Sequence, residues 1–107
     1  MTFDEMLGQL IVMSHEQRAQ SDDYCEVVVS QTKLESALQA MESYFGLPLK
    51  PSGQPVTDEV KNYAEPYGGI GANQTMYYKK SESGTEMALL WPWGSGDAVT
   101  FKLIRGA

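Results

Sequence analysis

The chain has 107 residues, 42% of them hydrophobic and 21% charged, with a formal net charge of −6. That length suits one domain, residues 1–107, able to bury a core without disulfides or metal. The negative balance argues against general binding to nucleic acid or to anionic membranes.

The first element reads as a helix. Phe3, Met6, Leu7, Leu10 and Ile11 recur at helical spacing, with Thr2 placed to cap and Asp4 and Glu5 in the first turn. The apolar face fades into His15-Glu16-Gln17-Arg18-Ala19-Gln20, so the helix is expected to end within 15–20. Ser21-Asp22-Asp23 is a turn. Residues 24–30, with three consecutive valines, read as a strand whose apolar face holds Cys25, Val27 and Val29.

Thr32 and Glu35 have capping-box spacing, and Leu34, Leu38, Met41 and Phe45 form a stripe that predicts a helix over 33–45, stopped by Gly46 and Pro48. Residues 47–56 hold three prolines and a glycine and form a loop. Thr57 then caps a short helix carrying Val60, Tyr63 and Ala64, which Pro66 ends.

After Gly68-Gly69-Ile70-Gly71 the period changes from helical to alternating. Three strands follow, over 73–80, from 85 to about 93, and over 98–104, joined by Ser81-Glu82-Ser83-Gly84 and Gly94-Ser95-Gly96-Asp97. Short glycine-containing links make them an antiparallel meander. Met87, Leu89 and Trp91 share one face of the middle strand and Ala88 and Leu90 the other, which predicts a doubly covered central strand or an interface. In the last strand Val99, Phe101 and Leu103 should face inward, Thr100 and Lys102 outward. The order α-β-α-α-β-β-β predicts a two-layer α+β domain, with a mostly antiparallel sheet and its helices on one face.

Residues 1–65 carry net −7 and residues 66–107 net +1, so the acids belong to the helical part and the strand part is nearly neutral. One cysteine, Cys25, excludes an intrachain disulfide and fits a reducing compartment. The N-terminus has no basic region of the secretory type, and no apolar run approaches a membrane span. A cytoplasmic location is the expectation.

No motif assembles a catalytic, metal or cofactor site. His15 is the single histidine, and Cys25 with His15 makes no recognisable nucleophile–base pair. Gly68-Gly69-Ile70-Gly71 lies between a helix and a strand, the reverse of a dinucleotide fingerprint, and reads as a turn. Lys79, Lys80, Lys102 and Arg105 are too few for a nucleic-acid groove and suit guarded sheet edges.

Trp91-Pro92-Trp93 is the most unusual string. The two indoles lie on one face of an extended chain, either as core or as an exposed ledge joined by Tyr77 or Tyr78. The expectation is therefore a non-enzymatic interaction or self-association module. It would pair with itself as a homodimer or with another protein, through Tyr77, Tyr78, Trp91 and Trp93, on the outer face of the meander or at a free strand edge. The alternative is a small-ligand binder or enzyme. Its pocket would lie between helices and sheet near Gly68–Gly71 and Trp91–Trp93, with His15, Tyr67, Asn73, Gln74 and Asp97 as polar groups.

Overall fold

Helix α1, Phe3–Met13, opens on Thr2, whose hydroxyl accepts from the Glu5 N–H at 3.1 Å. The Glu5 carboxylate accepts in return from the Thr2 N–H at 3.2 Å, which satisfies two otherwise orphaned donors. The computed structural model describes residues 1–82 and 84–106, so Ser83 of the expected turn lies outside the described residues.

The helix stops at Met13, and Glu16–Gln20 form a strand, β1, where the helix was expected to fade out. Glu, Gln, Arg and Ala are all good helix formers. Pairing overrides that local preference. The 21–23 turn brings β2, Tyr24–Ser30, antiparallel to β1, and β2 supplies the backbone partners. A register shift between Gln17 and Ala19 marks a bulge at Arg18.

Three further strands complete the sheet: β3 Thr75–Ser81, β4 Gly84–Pro92 and β5 Ala98–Arg105. The order is β1-β2-β5-β4-β3, antiparallel throughout. The expected α+β domain and C-terminal meander are present, with β1 added to the element order. The β1–β2 hairpin joins at β5, which makes β5 the central strand.

Helix α2, Leu34–Phe45, follows a 3₁₀ turn over Gln31–Lys33. The capping box expected at Thr32 does not form. The Thr32 hydroxyl instead meets the Ser30 hydroxyl at 2.7 Å, and the α-helix starts one residue later than expected, at Leu34, without a side-chain cap. Gly46 ends it at φ +80°.

Helices α1 and α2 form the second layer. Phe3, Met6, Leu10, Ala37, Ala40 and Met41 pack on Cys25, Val27, Val29, Val99, Phe101, Leu103, Ala88, Leu90 and Tyr77. Phe101 is fully buried at the centre, and a side chain of that kind contributes about 1.5–3 kcal/mol. Glu86 is buried at the margin of this face, where it accepts from the Tyr44 hydroxyl.

The short helix α3, Asp58–Ala64, capped by Thr57, rests on the opposite face with the 3₁₀ turn Glu65–Tyr67 that follows it. Val60 and Ala64 cover Met76, Met87, Leu89 and Ile104 there, while Tyr63 stacks on Tyr78 at 4.5 Å. The middle strand is thus covered on both sides, which explains its two apolar faces. The loop before α3 is held by Lys50. This buried lysine donates to the carbonyls of Pro51, Ala72 and Gln74 at 3.0, 2.8 and 2.6 Å. Among the described residues, no helix is long and apolar enough to cross a membrane.

Candidate functional site

The second face of the sheet is covered at one end by α3 and the glycine turn. Lys102 lies beneath that cover instead of pointing to solvent as its alternation suggested. Its ammonium sits 3.3 Å from the centroid of the Trp91 ring and donates to the Tyr67 carbonyl at 2.9 Å. Burial pushes the Lys102 amine down, and Glu26 on the neighbouring strand partly opposes that. Glu26 also accepts from the Tyr24 hydroxyl at 2.7 Å, and Tyr24 stacks on Tyr67.

Gly68, at φ +100°, closes over the edge of the indole beside the Lys102 ammonium. A Cβ there would stand 2.7 Å from Trp91 Cη2, closer than side-chain carbons approach. Trp91 is therefore half-covered and fixed. Its indole nitrogen is buried without a hydrogen-bond partner among the described residues.

Trp93 differs although it lies on the same face. It sits past the end of β4, where its backbone N–H still donates to the Ala98 carbonyl at 2.9 Å. Its indole N–H donates to the Thr100 hydroxyl at 2.9 Å, which fixes the ring, yet the residue stays 39% exposed. The Arg18 guanidinium lies over the ring, 5.4 Å from its centroid, and pairs with Glu16. That pairing holds the Glu16 carboxyl below its ordinary range and raises Arg18.

Trp93 walls a cleft of about 310 Å³ with His15, Glu16, Ser30 and Asp97 around it and Val28 and Ala98 as its buried floor. Backbone bonds from His15 N to Val28 O (2.7 Å) and from Gln31 N to Asp97 O (2.8 Å) bring these segments together. Larger and more open depressions lie between α1 and α2, around Gly8, Val12, Ser36 and Ala40, and beside the 47–56 loop.

Of the expected interaction anchors, only Trp93 offers a free surface of any size. Tyr77 is 2% exposed in the core under α2, so it cannot anchor a partner. Tyr78 is half-buried on Tyr63, and Trp91 lies under Gly68. Of the expected pocket residues, His15 and Asp97 meet in the Trp93 cleft. Tyr67, Asn73 and Gln74 lie elsewhere. Gln74 turns back to accept from the Gly71 N–H at 2.7 Å, and Tyr67 supplies its carbonyl to Lys102.

Cys25 is 2% exposed on the helix-facing side, burial raises its thiol pKa, and it does not meet His15. Among the described residues, no three His, Cys, Asp or Glu side chains gather as metal ligands. Glu16 and Arg18 escaped the sequence reading because their segment carries a helical composition. Compared with protein-family models, curated proteins and solved structures, the chain matches none.

Proposed function

We propose that the protein is a non-enzymatic interaction module that contacts its partner through the Trp93 cleft. The carrying observation is an exposed indole pinned by its own N–H to Thr100, beside a cleft with a buried apolar floor and a polar rim. Rigid aromatic anchors of this kind lose little entropy on binding and dominate interface energies.

The partner is another protein or a second copy of the chain. Contact by strand addition is disfavoured, since both sheet edges are guarded. β1 is short, bulged and charged, while β3 carries Lys79 and Lys80 and is bridged at Met76 by Lys50. The face around Trp93 is the better surface. A free thiol buried in a chain with one cysteine fits a reducing compartment, so the same reading puts the module in the cytoplasm.

A small-molecule reading is favoured by one observation, the meeting of His15 and Asp97 in the same cleft. Its volume lies at the lower end for small-molecule sites. The space between helices and sheet, by contrast, is filled by the core.

Selection of binders from a random-peptide display library tests the proposal. Enriched peptides should bind the wild type and lose at least tenfold on Trp93→Ala. Peptides that bind both equally would overturn it. Sedimentation across micromolar concentrations separates a second copy from another partner: a monomer at all concentrations removes the homodimer.

A further inference from the structure

We infer that the cleft accepts an arginine side chain of a partner protein, its guanidinium held against the Trp93 ring and the carboxylates of Asp97 and Glu16. This rests on the reading of the cleft as the contact surface. The chain's own Arg18 provides the first argument. Its guanidinium already lies over the Trp93 ring while pairing with Glu16, so this ring face and this carboxylate take a guanidinium together.

Asp97 provides the second. Asp97 lines the same cleft, is exposed, and its carboxylate has no hydrogen bond or ion pair with any described residue. A cation placed between the ring and Asp97 gains an interaction that Arg18 does not take up. The rim has the matching sign, since its acidic residues are Glu16 and Asp97. An acidic partner side chain would meet two carboxylates.

Arginine suits the geometry better than lysine. A planar guanidinium stacks on an indole and still directs paired N–H donors to carboxylates. Arg18 is displaceable. Its pair with Glu16 is solvent-exposed on both sides, at 43% and 50%, and exposed pairs contribute little. Arg18 thus occupies the ring in the free protein and yields it to the incoming side chain.

The test is a titration of ¹⁵N-labelled protein, read at the Trp93 indole N–H resonance. The probe is acetyl-Gly-Arg-Gly-amide, and the control has citrulline in place of arginine, the same shape without the charge. The arginine probe should shift the resonance saturably and bind at least fivefold more tightly than the citrulline control. Asp97→Asn should weaken the arginine probe at least threefold. Arg18→Gln, which frees both the ring and Glu16, should tighten it by a similar factor. Equal binding of the two probes, or no response to Asp97→Asn, would overturn the inference. Display-selected peptides that need Trp93 but tolerate citrulline at every arginine would overturn it while leaving the interaction module standing. Selected peptides indifferent to Trp93→Ala would overturn the module itself.

Discussion

Gly68→Ala tests whether the glycine turn is seated directly on Trp91. Gly68 and its neighbour Gly69 both hold positive φ, +100° and +83°. An alanine at either position pays the left-handed conformational cost, about 1–2 kcal/mol. Only at Gly68 does the new Cβ also meet atoms, 2.7 Å from Trp91 Cη2, 3.1 Å from Lys102 Nζ and 3.2 Å from Trp91 Cζ2. Around Gly69 nothing lies within 4 Å. The lysine end can swing aside. The indole cannot, because the Lys102 ammonium packs against its ring and the turn closes over its edge. Overpacking of that kind adds about 1–3 kcal/mol. Gly68→Ala should therefore lose about 2–5 kcal/mol and Gly69→Ala about 1–2 kcal/mol. Urea unfolding followed by tryptophan fluorescence measures both. Equal losses, within about 0.5 kcal/mol, would refute the seating of the turn on Trp91.

Four further outcomes follow from the geometry. Lys50→Met should cost about 2 kcal/mol in urea unfolding, because three carbonyls lose a charged donor; a neutral result would mean that water replaces it. Thr2→Ala should lose about 1 kcal/mol while Thr32→Ala loses much less, since of these two threonines Thr2 alone caps a helix. Burial, with a smaller contribution from Glu42, raises the Tyr77 hydroxyl from its ordinary value near 10 to about 12. A phenol whose folded pKa lies above its unfolded one contributes stability that is full below pH 10 and is lost as pH rises through 12. Tyr77→Phe should accordingly flatten the alkaline limb of a stability–pH curve, and an unchanged limb would contradict the burial argument. Trp93→Ala should lower stability by about 1–2 kcal/mol through the lost bond to Thr100 and lost ring contacts, with unchanged far-ultraviolet circular dichroism.

The sequence made much of this fold readable where period and turn chemistry agree. The alternation from Met87 to Trp91 announces a strand covered on both sides, and the glycine links announce the meander. Other features depend on contacts between distant segments. Glu16–Gln20 has a helical composition, and only pairing with β2 makes it a strand. Lys102 looks outward by alternation, yet β5 becomes central once β2 joins it, and the turn at Tyr67 and Gly68 covers the ammonium. Trp91 and Trp93 share a face by period 2. One is partly covered by Gly68 and the other stays exposed, a distinction set by a turn more than twenty residues earlier. His15 and Asp97 meet for the same kind of reason, through the β1–β2 and β2–β5 pairings.

The most direct test of the proposed contact surface is a chemical-shift map of ¹⁵N-labelled protein titrated with a display-selected peptide. The proposal predicts that the largest changes fall on the Trp93 indole and the backbone of His15, Glu16, Arg18, Val28, Ser30 and Asp97. Changes centred on the depression between α1 and α2, with Trp93 unmoved, would contradict it.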